Sequence, residues 1–126
     1  MAPVTILLVD DDPLIRLLGR ELLEQRGYQV KVAGDGVEAL RLYRTLGKVD
    51  LVILDYYLPD QNGLEVLEQL KALDPQVRVI MASGFFSPQE VARLAEEGAQ
   101  GIIHKPYHLS ELETRIRKAL AGFSGF

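Results

Sequence analysis

The stretch Asp50-Leu51-Val52-Ile53-Leu54-Asp55-Tyr56-Tyr57-Leu58-Pro59-Asp60 decides the fold. Its four consecutive apolar residues are bounded by turn-forming residues, a pattern typical of a strand buried on both faces of a parallel sheet. The run ends directly at Asp55, which we therefore expect at the carboxyl end of a strand. Open α/β sheets place their chemistry at that end. Asp55 is either a turn-forming residue or a functional acid, and the other strand ends have to distinguish the two.

Four further apolar segments share the β-branched character of this strand, and longer segments with helical spacing separate all five. The predicted strands are Val4–Val9, Val30–Val32, Leu51–Leu54, Val77–Met81 and Gly101–Ile103. Strands that alternate with helices in this way predict an α/β fold. We expect one doubly wound (βα)5 domain, in which helices cover both faces of a five-stranded parallel sheet.

Capping residues mark the helix boundaries. The predicted helices begin at Asp12-Pro13, at a capping box from Asp35 to Glu38, at Asn62-Gly63, at Ser87-Pro88 and at Ser110-Glu111. The first four end at Gly27, Gly47, Asp74-Pro75 and Gly98. An apolar stripe at helical spacing carries the last helix toward the C-terminus, through Leu109, Leu112, Ile116, Leu120 and Phe123. The residues Gly122–Phe126 are expected to form a short flexible tail.

Composition excludes several classes of function. The 126-residue chain has a net charge of −4 and no run of Lys or Arg, so nothing in it favours nucleic-acid binding. It has no cysteine, which excludes disulfides, thiolate metal sites and thiol nucleophiles. The N-terminus has no basic region and leads into a strand-length apolar segment, which is neither a signal peptide nor a membrane span. We therefore expect a cytoplasmic protein with no membrane contact.

Acids, a hydroxyl and an ammonium group follow the predicted strands. Because the carboxyl ends of parallel strands share one edge of a sheet, the side chains at these junctions converge: Asp10, Asp11, Asp12, Asp55, Ser83 and Lys105. Clustered carboxylates repel one another unless a cation neutralises them, and Mg²⁺ is the simplest cation that prefers carboxylate and carbonyl oxygens. Asp12 before Pro13 is best explained as a helix cap, whereas Asp10 and Asp11 favour metal binding.

The elements at these junctions resemble the receiver domain of bacterial two-component response regulators. The matching elements, in the family's order and at about its spacings, are Val9-Asp10-Asp11-Asp12-Pro13, Leu54–Pro59, Asn62-Gly63, Ala82-Ser83-Gly84 and Lys105-Pro106. Each element alone is common, but the five together are specific, and the likeness covers essentially the whole chain. It implies a flavodoxin-like strand order, 2-1-3-4-5.

The resemblance also implies a role for each matching residue. Asp55 is the expected phosphoacceptor, and it takes its phosphoryl group from a histidine kinase or a histidine phosphotransfer protein. Asp10, Asp11, Asp55 and the backbone carbonyl of Tyr57 are the expected ligands of Mg²⁺, with Mn²⁺ as an alternative ion. Ser83 is the hydroxyl residue that turns toward the phosphoryl group, and Lys105 pairs first with Asp55 and then with a phosphoryl oxygen. In this family the peptide bond between Lys105 and Pro106 is typically cis.

The sequence departs from the family where the signal leaves the site. Many receivers carry Tyr or Phe three residues before the lysine, but here that position is Ile102. We expect the signal to pass through loop shifts that involve Phe85, Phe86, Ile102 and Pro106. Two adjacent aromatic side chains in a loop cannot both enter one core, so at least one phenylalanine should be exposed. Bulky side chains at Tyr57 and Phe85 should also crowd an attacking water and slow the self-hydrolysis of the phosphoryl group.

Three functions remain to be compared. The first is a phosphorylation-controlled switch that contacts a downstream protein, with its core at about residues 4–121 of a single domain spanning 1–126 and with no effector domain. It would act as a monomer or as a phosphorylation-linked dimer. The second is a Mg²⁺-dependent phosphohydrolase, but these enzymes resemble an Asp-x-Asp pattern, and Tyr57 stands where the second acid belongs. The third is a nucleotide- or flavin-binding domain, for which the glycine-rich loop after the first strand is missing. The switch is favoured, and we do not expect it to be a multiple-turnover enzyme. The two histidines, His104 and His108, are interpreted as surface residues.

Overall fold

Strands and helices alternate five times along the chain in a computed structural model, which describes residues 3–126. The strands are β1 (Thr5–Val9), β2 (Gln29–Ala33), β3 (Leu51–Asp55), β4 (Val79–Ser83) and β5 (Gly101–His104). The helices are α1 (Pro13–Gln25), α2 (Gly36–Leu46), α3 (Gly63–Leu73), α4 (Pro88–Glu96) and α5 (Leu109–Leu120). No helix within residues 3–126 combines the length and the apolar character needed to cross a bilayer.

The sheet is parallel throughout, and its order is β2-β1-β3-β4-β5. The apolar stretch that ends at Asp55 therefore forms the central strand, since β3 pairs with β1 on one side and with β4 on the other. Ile53 lies level with Leu8 and with Ile80, and every residue of β3 is buried. The predicted fold class and strand order are both confirmed.

Two apolar layers cover the sheet because successive side chains of a strand point to opposite faces. On one face Leu7, Val52 and Leu54 pack with buried residues of α2, α3 and α4. On the other face Leu8 and Ile53 pack with buried residues of α1 and α5. The helices thus lie on both sides of the sheet, as the strand–helix alternation predicts.

Most of the predicted helix caps are present. The carboxylate of Asp12 accepts a hydrogen bond from Leu14 N, which confirms its role as the cap of α1. Asn62 and Ser87 form complete capping boxes with Glu65 and Glu90 at the starts of α3 and α4.

Two predicted helix starts need correction. Asp35 caps α2 through Glu38 N at 2.8 Å, but the Glu38 carboxylate accepts from Gly34 N at 2.9 Å, so the reciprocal half of the predicted box is missing. The N-cap of the last helix is His108 rather than Ser110, so the helix begins at Leu109, two residues earlier than predicted, and His108 makes no side-chain capping bond. Packing explains the earlier start: Leu109 packs against the apolar layer between the sheet and helices α1 and α5, and this contact favours a helical conformation at Leu109.

The C-terminal segment is ordered, contrary to the prediction of a flexible tail. After α5 ends, Gly122 has a φ of 86° and turns the chain, so that Phe123 lies beyond the helix and is largely exposed. Gly125 N donates to Gln100 O at 2.9 Å, and Ile102 N donates to Gly125 O at 3.3 Å. A β-carbon on Gly101 would lie 2.8 Å from the Gly125 Cα, so the two backbones approach this closely only because Gly101 has no side chain. The tail therefore covers part of the outer edge of β5.

Candidate functional site

The side chains that the sequence singles out meet at the carboxyl edge of the sheet. Asp10 directly follows β1, Asp55 and Ser83 end β3 and β4, and Lys105 directly follows β5. The register brings them together, since Asp55 lies level with Ala82 and Ser83 lies level with His104. Asp10 N continues the ladder by donating to Ala33 O at 3.0 Å, which fixes the backbone of the acid beside the strand ends.

Three carboxylates form the centre of the site. Asp10, Asp11 and Asp55 each place an oxygen within 4.8 Å of the oxygens of the other two. Asp10 is 3% exposed and Asp55 is 7% exposed, whereas Asp11 is open to solvent. Two sheltered acids and one solvated acid suit Mg²⁺, which takes a few carboxylate oxygens and keeps several waters. The residues present therefore fit this ion.

Lys105 partly neutralises the acids. Its Nζ donates to Asp10 Oδ2 at 2.6 Å and to Asp55 Oδ2 at 3.1 Å. Burial alone would lower the pKa of Lys105, but the hydrogen bond to Asp10 and the charge of Asp55 outweigh it and raise that pKa, so the ammonium stays charged. Burial raises the pKa of Asp55, and the charge of Lys105 offsets only part of this effect. The contact with Asp55 matches the pairing that the resemblance implies, whereas the shorter contact with Asp10 was not anticipated.

Hydrogen bonds hold both the carboxylate and the backbone carbonyl of Asp10. One carboxylate oxygen accepts from Asp12 N at 3.0 Å while the other meets Lys105, and the backbone carbonyl accepts from Arg16 Nη1 at 2.8 Å. Arg16 lies on the first turns of α1 and was missed by sequence reasoning, because no spacing rule links a helix arginine to a strand-end carbonyl. Its role in the structure is to fix the junction that carries the acid pair.

Ser83 is buried, and its hydroxyl is bonded to the loop that follows β4. The Oγ donates to Phe85 O at 3.0 Å and accepts from Phe85 N at 3.3 Å. Both bonds are local, an arrangement typical of a serine that shapes a turn. In this state the hydroxyl therefore holds the β4–α4 loop.

The two adjacent phenylalanines have opposite environments. Phe85 is 69% exposed, whereas Phe86 is 6% exposed, which confirms the prediction that at least one would lie at the surface. The Phe86 ring makes edge contacts with Tyr56 at 6.4 Å and with His104 at 5.4 Å between centroids. Ile102 is buried in the same apolar layer as Phe86. The space around β5 is thus filled from the β4–α4 loop rather than by an aromatic residue on β5 itself.

The β3–α3 loop, residues 56–62, crosses directly over the end of β3. It is closed by a 2.6 Å hydrogen bond from Gly63 N to Tyr56 O and by a bridge between Tyr57 and Asn62. A β-carbon on Gly63 would lie 2.5 Å from the sulfur of Met81 and 2.8 Å from Tyr56 Cα, so only glycine permits this path. Tyr57 N donates weakly to Asp55 Oδ1 at 3.4 Å, and its side chain is 61% exposed. The backbone of Tyr57 therefore lies beside the carboxylates while its ring faces solvent.

The remaining candidates lie at the rim. Lys105 and Pro106 are joined by a cis peptide bond, as is typical of the resembling family. His104 is exposed and packs its ring against Phe86, and His108 is exposed at the start of α5. Neither histidine is among the described groups of His and acid side chains that could hold a metal ion.

An open cavity of about 570 Å³ begins at the carboxylates and runs between α1 and α5. Asp10, Asp11, Asp55 and Lys105 line one end, and apolar residues of the two helices line the other. Next to its mouth, α1 presents a row of exposed leucines, Leu14, Leu17, Leu18 and Leu22. The site is thus bordered by an apolar helix surface, which no motif in the sequence predicts.

Comparison with known proteins assigns the family. The family model of the response regulator receiver domain matches residues 6–117. The chain is 34% identical over 115 residues to sporulation initiation phosphotransferase F of Bacillus subtilis (strain 168), and the match covers 91% of this chain and 92% of that protein. It is also 34% identical over 117 residues to the sensor kinase CckA of Brucella abortus (strain 2308), with 92% of this chain covered but only 12% of the kinase.

A solved structure agrees with these sequence matches. The CheY-like response regulator receiver domain protein from Methanospirillum hungatei JF-1 superimposes with a TM-score of 0.90 at 32% identity, over 95% of each chain. The structural likeness extends to the whole (βα)5 fold, and the family match includes every site residue described above, from Asp10 to Lys105. The chain belongs to the response regulator receiver domain family, and it is therefore a phosphoacceptor signalling module of two-component systems.

Proposed function

We propose that Asp55 is the residue that accepts the phosphoryl group, from a phosphohistidine on a histidine kinase or a histidine phosphotransfer protein. The observation that supports this most is the meeting of Asp10, Asp11, Asp55 and Lys105 at one edge of the sheet. Asp55 is the acid that ends the central strand, and it lines the polar end of the cavity. Its oxygen attacks phosphorus, the new O–P bond forms as the P–N bond breaks, and the electron pair of that bond leaves with the imidazole.

The surrounding groups stabilise charge. Asp10, Asp11, Asp55 and the carbonyl of Tyr57 would hold Mg²⁺, which supplies positive charge to the equatorial phosphoryl oxygens. Lys105 supplies a second positive charge, since its ammonium already lies 3.1 Å from the acceptor carboxylate. Together these groups position the acceptor and neutralise charge, which is most of the help that phosphoryl transfer needs.

The switch is proposed to act through Ser83. When its hydroxyl turns toward the phosphoryl group, it gives up both of its bonds to the backbone of Phe85. The β4–α4 loop then loses its local anchor, and the exposed ring of Phe85 moves with it. A downstream protein partner reads this change on the surface at Phe85 and Pro106, whereas the buried side chains of Phe86 and Ile102 pack beneath the loop and transmit its shift. The chain acts in the cytoplasm, as a monomer or as a dimer that forms on phosphorylation.

The phosphohistidine donor is proposed to dock on the exposed leucines of α1. Two of these side chains, Leu18 and Leu22, also line the cavity that reaches Asp55, so a protein that covers them brings its own histidine close to Asp55. Apolar surface of this kind is characteristic of a protein contact. Leu18 is the more exposed of these two, at 46% against 40% for Leu22, which makes it the better position to test.

The acceptor is tested with a small-molecule donor. The protein is incubated with Mg²⁺ and acetyl phosphate, and its intact mass is followed. We expect one phosphoryl adduct, which is absent in Asp55→Asn and retained in Asp12→Asn, because asparagine also caps a helix. An adduct that persists in Asp55→Asn would disprove the assignment, and sustained multiple turnover of acetyl phosphate would favour the phosphohydrolase instead.

The docking surface is tested by comparing donors. Leu18→Glu should lose phosphoryl transfer from the histidine kinases of its own genome while it keeps labelling by acetyl phosphate. Leu73→Glu, at an exposed leucine on α3, is the matched control and should keep both. Equal transfer to Leu18→Glu and to the control would exclude α1 as the docking surface.

A further inference from the structure

Asp60 joins the β3–α3 loop to the start of α2. Its Oδ1 accepts from Gly36 N at 2.9 Å, and its Oδ2 accepts from Val37 N at 3.0 Å. These amides belong to the first turn of α2 and have no partner within the helix. Asp35, the N-cap of the same helix, takes the next amide, Glu38 N. Asp60 is therefore a second cap that α2 receives from a distant loop.

The hydrogen bonds also keep Asp60 ionised. Desolvation alone would raise the pKa of this carboxyl, but the amides of Gly36 and Val37 outweigh it and lower the pKa below the usual value. The positive end of the α2 dipole favours the same charge. The anchor is thus fully formed at neutral pH.

Asp60 completes a closed path around the carboxylates. On one side, the β3–α3 loop runs from Asp55 to Asp60. On the other side, β2 leads into α2, and the last residue of β2, Ala33, accepts a hydrogen bond from Asp10 N at 3.0 Å. The bonds of Asp60 to Gly36 and Val37 join these two sides. The distance between Asp10 and the β3–α3 loop is therefore set partly by Asp60.

The loop has a second contact at the same place. Gln61 packs over Gly36, where a β-carbon would lie 2.5 Å from its Nε2, and its Oε1 accepts from Gln69 Nε2 at 3.1 Å. These contacts hold the chain four residues after Tyr57, whose carbonyl is the one backbone ligand proposed for Mg²⁺. A loop fixed at Asp60 keeps that carbonyl at a constant position relative to Asp10 and Asp55.

We propose that Asp60 is a positioning residue for Mg²⁺, acting through the β3–α3 loop without touching the ion. This inference rests on the proposed function of the Asp55 site. Residues that orient metal ligands typically change metal affinity by about 10-fold or more when they are removed. We therefore expect Asp60→Ala to weaken Mg²⁺ binding by about 10-fold.

The test measures metal binding directly, with no phosphoryl donor present. The dissociation constant of Mg²⁺ is obtained from the rise of the melting temperature with Mg²⁺ concentration. Asp35→Ala is the matched control, because it removes one carboxylate and one capping bond from the same helix end but leaves the β3–α3 loop attached. We expect the Mg²⁺ affinity of Asp35→Ala to change by less than about 2-fold. The lost cap lowers the melting temperature of Asp35→Ala, as it does for Asp60→Ala, but not the dependence of that temperature on Mg²⁺. Asp60→Asn keeps an acceptor oxygen for one of the two amides, and it should recover part of the affinity.

The outcomes separate this inference from the proposed function. If Asp60→Ala binds Mg²⁺ as tightly as Asp35→Ala does, Asp60 has no positioning role, whatever the behaviour of Asp55. If Asp60→Asn binds no better than Asp60→Ala, the effect comes from charge and the positioning role is likewise rejected. If the unaltered protein shows neither Mg²⁺ stabilisation nor an adduct on Asp55, the proposed function itself fails.

Discussion

Replacing Lys105 by methionine removes the ammonium and keeps most of the apolar stem, so it isolates the effect of the charge. In the unaltered protein this ammonium lies 2.6 Å from Asp10 and 3.1 Å from Asp55. Without it, three acids whose oxygens lie within 4.8 Å of one another have no ion pair to their carboxylates among the described residues. At that distance two unit charges repel by about 3 kcal/mol at an effective dielectric constant of about 20.

The cost of the substitution follows from how buried the ion pair is. Removing one partner of a fully buried pair costs about 3–5 kcal/mol. The side chain of Lys105 is 27% exposed, so solvent screens part of the charge, and we expect a loss of about 2 kcal/mol in the free energy of unfolding. For a domain of this size the melting temperature falls by about 4 °C per kcal/mol, which gives a decrease of about 8 °C in metal-free buffer.

Magnesium should restore more stability to this variant than to the unaltered protein, because the ammonium no longer competes for the carboxylates. The assay is thermal unfolding in a chelator and in millimolar Mg²⁺, with Lys118→Met as the control at an exposed lysine of α5. The control should change the free energy of unfolding by less than about 0.5 kcal/mol. A Lys105→Met protein as stable as the control in chelator would refute the view that Lys105 neutralises the acids. An equal rise of the melting temperature with Mg²⁺ in Lys105→Met and in the unaltered protein would refute the competition between the ammonium and the ion.

Three further predictions concern single side chains. Asp55→Asn should stabilise the protein at neutral pH, because burial raises the pKa of Asp55 in the folded state. The protonated carboxyl of Asp55 contributes stability below the unfolded-state pKa of about 3.9, and this contribution is lost as the pH rises through the higher folded-state pKa. A gain in melting temperature that does not shrink on acidification would contradict this. Phe86→Ala should lower the free energy of unfolding, measured in urea, by about 3 kcal/mol, because it leaves a cavity at a buried site. Phe85→Ala should change it by less than about 0.5 kcal/mol, because that ring is exposed. Equal effects would show that the two rings are buried to the same extent. The phosphorylated protein should lose its phosphoryl group slowly, and Tyr57→Ala should shorten its lifetime severalfold in a mass-based time course; a lifetime of seconds in the unaltered protein would exclude shielding by this residue.

The strands and most helix starts were predictable because each rests on a local rule. The apolar run before Asp55 predicts a doubly buried strand, and it is the central one. Asp12 before Pro13 predicts a cap, and its carboxylate does accept the Leu14 amide. The convergence of the acids was also predictable, since parallel strands end at one edge whatever their detailed register.

Contacts that depend on the exact path of a loop were not predictable. A sequence places Lys105 at the same edge as both Asp10 and Asp55 but does not show that it bonds to both. The anchoring of α2 by Asp60 joins residues 24 and 23 positions apart, and no periodicity connects them. The capping pattern placed the N-cap at Ser110, two residues too late, because the packing of Leu109 against the sheet outweighed a local signal.

The ordered C-terminal segment also affects how the sheet meets other chains. An open sheet has two edges, and unpaired backbone groups on an edge can template pairing with another molecule and so begin aggregation. The β2 edge carries the exposed polar side chains of Gln29 and Lys31, whereas β5, Gly-Ile-Ile-His, carries no Lys, Arg, Asp or Glu. The tail uses the hydrogen-bonding groups of Gln100 and Ile102 that an intruding strand would need. A side chain at Gly101 would push the tail away from β5, and it would thereby expose a sheet edge that carries no charge of its own.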